Sequence, residues 1–170
     1  PRPLRPCRRG VGPPGQGMVT WAEFATAVPD IAEAGRRLFV RDGIDQVLLA
    51  TVSGDDAPRI HPIYTAIVDG RLYAFILGSA KLRDLDADGR YALHTHLDPA
   101  APSEFMVRGR ATRVGDEATR ASVASGWWFE VDDTFALFEF SIESALLGRR
   151  DSADDWPPRY TRWSNAQPAG

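Results

Sequence analysis

A chain of 170 residues with 44% hydrophobic and 25% charged side chains has the length and balance of one globular domain around one core. Its longest apolar runs, such as residues 47–52, fall far short of the roughly 18 residues needed by a membrane-crossing helix, which excludes a helical membrane span. A lone cysteine, Cys7, excludes a disulfide framework and a cysteine metal cluster, and suits a reducing, cytoplasmic compartment.

Residues 1–17, PRPLRPCRRGVGPPGQG, are rich in Pro, Gly and Arg, lack the apolar core of a signal peptide and stand directly before Met18. They read as a leader or upstream sequence without fixed structure, followed by one domain over residues 18–170. Without the four leader arginines the body holds 16 basic against 23 acidic side chains, a formal charge of −7. That balance speaks against a broad basic surface for nucleic acid.

Thr20 with Glu23, and Asp30 with Glu33, match the capping-box spacing and predict two short helices divided at Pro29. The second, over about residues 31–40, places Ile31, Ala34, Leu38 and Phe39 on one face and ends at Gly43. The period then changes. QVLLATVS is a strand, SGDD a turn, and PRIHPIYTAIV a long strand interrupted by Pro62. Asp69-Gly70 is a hairpin signal leading into the strand RLYAFIL. GSAKLRDLDADG reads as a turn and a short helix with Leu82 and Leu85 on its apolar side. RYALHTH, EFMVRGRATRV with a bend at Gly109, a helix opened by Asp116, FALFEFSIESALL and RYTRWS complete the chain. The expectation is a mainly β protein with a few helices, a six- or seven-stranded antiparallel meander closed or split as a barrel.

Chemistry concentrates in residues 58–85. Gly78, Ser79, Ala80 and Lys81 form a turn at a helix start, where outward amides, a hydroxyl and the only lysine of the chain could hold a phosphate, with Arg59 clamping it from the neighbouring strand. A plainer reading makes Ser79 an N-cap, Lys81 a solvated first-turn residue and Arg59 a surface residue, and spacing alone leaves both open. His94 and His96 form an H-x-H pair on one strand face, and His61 or Glu104 could complete a metal set. There is no G-x-S-x-G elbow and no G-x-x-x-x-G-K loop.

The stretch ATVSGDDAPRIHPIYTAIVDGRLYAFILGSAKLRDLDADGRYALHT resembles the flavin-binding split barrels of the pyridoxamine 5'-phosphate oxidase-like family. The matching features are Ala50, Thr51 and Val52; Pro58, Arg59 and Pro62; Asp69-Gly70; Ser79, Lys81, Asp84 and Leu85; and Gly109, Arg110 and Ala111. The resemblance spans residues 47–114 and extends weakly to Phe138, Glu139 and Phe140. It implies a homodimeric FMN-binding oxidoreductase moving a hydride through flavin N5 to or from a small substrate. A deazaflavin coenzyme on the same barrel, or non-catalytic flavin or haem binding through His61 or His94, are its alternatives. By the same resemblance Arg59, Lys81 and Ser79 hold the cofactor phosphate beside Leu82. Ile60, His61, Pro62, Ile63 and Tyr64 run along the ring, Phe75 lines the adjacent strand, and Trp127, Trp128 or Trp163 of the other subunit could cover the ring. Three departures stand out. Ala80 replaces a second basic residue, Glu104 falls where the oxidase has a glutamine, and the C-terminal substrate-phosphate residues have no match, which argues against pyridoxamine phosphate as substrate.

Overall fold

The computed structural model describes residues 17–100, 102–152 and 154–165; of the predicted leader only Gly17 is among them. In chain order the elements are α1 (Trp21–Ala27), α2 (Pro29–Phe39), β1 (Val40–Arg41), β2 (Ile44–Val52), β3 (Pro58–Val68), β4 (Arg71–Leu77), α3 (Ala80–Asp88), β5 (Arg90–Thr95), β6 (Glu104–Arg113), α4 (Glu117–Ser125), β7 (Phe135–Arg149) and β8 (Arg159–Ser164).

The hairpin at Asp69-Gly70 forms as expected, both residues having positive φ, 48° and 73°. The predicted single meander proves to be two, β2-β3-β4 and β5-β6-β7. Pairing of β4 with β7 and of β2 with β5 joins them into a closed six-stranded antiparallel barrel, which leaves no free edge within the ring. β1 and β8 lie outside the ring, paired with β2 and β7. The bend expected at Gly109 is a bulge against β7, where any Cβ would run into the Ser141 carbonyl oxygen.

Strict alternation along β2 puts Val47 and Leu49 inward, where they meet Leu72, Ala74, Ile76, Leu93, Phe105, Val107, Phe138 and Phe140. α1 and α2 close the end of the barrel where β2 begins, through Trp21, Phe24, Ile31 and Phe39, and Arg36 of α2 pairs with the buried Asp45. α3 closes the opposite end through Leu85. A second cluster lies outside the wall, where Tyr73, Phe75 and Leu137 are covered by Val123 of α4 and by Trp127. Arg120 pins this cover by donating to the carbonyls of Phe135 and Asp132 (2.8 and 2.7 Å), with its guanidinium 5.2 Å over the Phe75 ring.

Two local expectations are corrected. The Thr20–Glu23 capping box forms, but α2 begins at Pro29 with no side-chain cap, so Asp30 and Glu33 make no box. Pro29, which has no amide to satisfy and a φ already suited to the first helical turn, starts the helix earlier. Gly43 does not end that helix; Asp42 and Gly43, with φ of 52° and 80°, turn the β1-β2 hairpin. Among the described residues no helix is long and apolar enough to cross a membrane.

Candidate functional site

β3 separates the site residues onto two faces, because successive side chains of a strand point to opposite sides. Ile63 and Thr65 are buried inward, and Arg59 and His61 share their parity, opposite Thr51 and Leu49 of β2. Ile60 (68% exposed), Pro62 and Tyr64 (44% exposed) point out of the barrel.

The inward row meets α3 at the barrel end. Asp84, only 5% exposed, accepts from the Thr51 hydroxyl at 2.8 Å and from Arg59 Nη1 at 3.1 and 3.3 Å. This fixes the guanidinium through one nitrogen and leaves Nε and Nη2 without a hydrogen bond among the described residues. Lys81, half-buried in the first turn of α3, has no ion-pair partner among the described residues. His61 stands one strand repeat from Arg59 and feels the charge of both cations. Burial holds its imidazole below the usual histidine range, Lys81 and Arg59 push it further down, and Asp84 opposes them. Its Nε2 is buried and has no hydrogen-bond partner among the described residues.

Ser79 takes the N-cap position in an extended conformation (φ −165°, ψ −179°), yet its hydroxyl donates backward to the Leu77 carbonyl at 2.8 Å and caps nothing. Among the described residues no side chain caps the start of α3, the state in which a helix start attracts an anion. Leu82 packs α3 onto the core. A guanidinium with two donors left over, an ammonium, uncapped amides and a buried ring nitrogen without a partner among the described residues are the chemistry that fits an anionic group.

The remaining residues of the expected site lie elsewhere. Ile63 belongs to the barrel core and Phe75 to the outer cluster, edge-on to Trp127 with ring centroids 5.0 Å apart. Trp127 stacks on Trp128 at 4.5 Å, and Trp128 meets Tyr64 edge-on at 5.1 Å, extending the outward strip of β3. Trp163 instead packs against Phe24.

Of the histidine pair, His94 has both ring nitrogens beside oxygens. His94 places Nδ1 2.6 Å from the Thr95 carbonyl and Nε2 3.3 Å from Glu104, whose other oxygen accepts from Tyr160 at 2.6 Å. Among the described residues no group of three or more His, Cys, Asp or Glu side chains could hold a metal, so neither His61 nor Glu104 completes a set with His94 and His96. The oxygen partners of His94 are supplied by its neighbours in the sheet, which the H-x-H spacing does not reveal.

Sequence reasoning did not anticipate that Asp84 and Thr51 orient Arg59. The available signals were the inward parity of Thr51 in β2 and the position of Asp84 directly before the core residue Leu85.

No family model and no curated protein matches the chain. Solved structures do match it. A protein related to general stress protein 26 of B. subtilis (pyridoxinephosphate oxidase family) from Clostridium acetobutylicum aligns over 84% of this chain and 95% of its own, at 14% identity and TM-score 0.56. A putative pyridoxamine 5'-phosphate oxidase from Listeria innocua aligns over 66% and 94%, at 16% identity and TM-score 0.53. A heme-binding protein from Mycobacterium smegmatis aligns over 71% of this chain at 14% identity and TM-score 0.55, and the match spans about half, 52%, of that longer protein. The barrel thus has the split-barrel fold of pyridoxamine 5'-phosphate oxidase-like proteins.

Proposed function

We propose that this protein binds a flavin phosphate, FMN, and acts as an oxidoreductase on a small organic substrate. The observation that carries the reading is that Arg59, held toward α3 by Asp84, and Lys81, in the first turn of the uncapped α3, both act on His61, whose Nε2 is buried with no hydrogen-bond partner among the described residues. A phosphate there would accept from the free guanidinium donors of Arg59, from the Lys81 ammonium and from the α3 amides. Asp84 and Thr51 hold the guanidinium in place before the anion arrives, so less freedom is lost on binding. Ile60, Pro62 and Tyr64 provide an outward strip for the ring, while Ile63, Phe75 and Leu82 fix β3, β4 and α3 from the cores behind them. Bound there, the flavin would supply hydride transfer through N5, and the protein placement and electrostatics.

The same strip supports a homodimer. By strand register Pro62, Leu48, His94, Met106 and Leu146 form one continuous outward row, and Ile60, Ala50 and Ala92 a parallel one. A second copy on this face would cover an apolar band that the helices, packed at the barrel ends and over β4, leave open. A Met106→Glu variant is expected to halve the mass in sedimentation; an unchanged mass would remove this face as the interface.

A deazaflavin coenzyme would use the same anion end, and competition against FMN separates the two. Haem is the competing ligand, since the Mycobacterium smegmatis neighbour is a heme-binding protein. Both ring nitrogens of His94 are already engaged, and His61 lies among cations, which favours an anion over an iron. The test is to titrate purified protein with FMN and with haem. A flavin absorbance with bound stoichiometry supports the proposal, and a Soret band with no FMN uptake overturns it.

A further inference from the structure

We infer that His61 is an anion-binding residue that takes up a proton as the anion arrives, so that it does the work of the missing second basic residue at Ala80 and makes binding tighten as pH falls. The inference deepens the reading above and rests on its placement of an anion between Arg59 and Lys81.

Three features of His61 carry it. The side chain is inward on β3, one strand repeat from Arg59, whose guanidinium reaches Asp84 of α3. Its Nε2 is buried with no hydrogen-bond partner among the described residues, a condition that costs stability and is relieved by an oxygen acceptor. The charges around it are Arg59 from β3 and Lys81 and Asp84 from α3, while β2 opposes it with the apolar Leu49. Asp84 is shared with Arg59 and Thr51, so its charge is largely committed to the guanidinium. Without a ligand, burial and the two cations disfavour the charged ring.

An anion lodged among these groups reverses the balance. It cancels the field of Lys81 and Arg59 at the imidazole and accepts from Nε2, and both effects favour imidazolium. The proton comes from solvent and stays on the ring while the anion is bound. Binding and protonation are then linked, each strengthening the other by the same factor. His61 thereby supplies a third donor opposite the position where Ala80 offers none.

The experiment is NMR titration of the histidine ring signals in the full chain, which has only three histidines; a His61→Gln variant assigns the signal. Curves are recorded against pH without ligand, with FMN, and with inorganic sulfate, whose charge is constant across the range where histidine titrates. The expected result is that both anions raise the His61 midpoint by about one pH unit, with FMN affinity rising about tenfold as pH falls through that range. In His61→Gln, which keeps a hydrogen bond but no titration, that rise is lost, and protonation of the phosphate itself weakens binding as pH falls. If FMN binds yet the His61 curve does not move, and both proteins share one pH profile, the inference is overturned while the flavin reading stands. If sulfate moves His61 but FMN does not bind, the flavin reading fails and the inference holds. If neither anion moves His61, the inference fails.

Discussion

Two polar clusters on this barrel have similar ingredients and opposite states. On the outer wall His94, Glu104 and Tyr160 contact one another, and each ring nitrogen of His94 faces an oxygen. At the α3 end Arg59, Lys81, His61 and Asp84 leave, among the described residues, an ammonium without an ion-pair partner, a ring nitrogen without a hydrogen bond and a helix start without a cap. A histidine beside a carboxylate is therefore no signal by itself. What marks a site for a ligand is polar capacity that the fold leaves open, because a buried group without a partner is costly unless something else supplies one.

The contrast can be broken by substitution. Lys81→Ala and Arg59→Ala are each expected to weaken FMN binding by tenfold to a hundredfold, since a charge-assisted hydrogen bond contributes about 1.5–3 kcal/mol. Glu104→Gln should leave it within about twofold. Fluorescence titration of FMN measures both, and equal losses in the two clusters would erase the distinction. Asp84→Asn gives the next effect and should act in two directions. Removing the negative charge behind Arg59 is expected to tighten FMN binding severalfold, while the weaker hold on the guanidinium and on Thr51 lowers folding stability by about 1–2 kcal/mol in urea. His94→Leu, which removes the ring's contacts to Thr95 and Glu104 away from the α3 end, should cost about 1 kcal/mol of stability and nothing in affinity.

The smallest effect is on pH dependence. His61 and His96 are both held below the ordinary histidine value, chiefly by burial, so the folded protein binds their protons less readily than the unfolded chain does. Their contribution to stability is complete above the unfolded value near 6.5 and is lost as pH falls through the lower folded values. Glu23, Asp55, Asp88, Asp116, Asp132 and Asp155 are also held low, mainly by hydrogen bonds, and their contributions are lost only at more acid pH. Burial holds Asp45 above the usual carboxylate range in spite of Arg36, and its contribution has the opposite sign. Urea midpoints of the ligand-free protein should decline in two separate steps on acidification. Saturating FMN should flatten or reverse the first, and a first step unchanged by FMN would contradict the His61 linkage.

Much of the fold was legible because it depends on local rules. The period-two pattern of β2, the Asp69-Gly70 hairpin, the Thr20 capping box and the Asp116 start of α4 are each specified by residues within a few positions of one another. Arg59 and Lys81 could likewise be selected from their places on a strand and at a helix start. The overlooked β1-β2 hairpin had the same Asp-Gly signal, at Asp42 and Gly43, but the preceding helix pattern competed for it.

By itself, then, the sequence determined the type of most strands and helices, the Asp69-Gly70 turn, and which two cations stand in suitable local settings, since backbone sterics and side-chain period act over short spans. Only the tertiary structure decided that two meanders close through β4–β7 and β2–β5, that Phe75 lies outside the wall under Trp127, and that Asp84 engages Arg59 across 25 positions. Those outcomes depend on which distant surfaces exclude water together. That is a property of the closed barrel, and no single segment carries it.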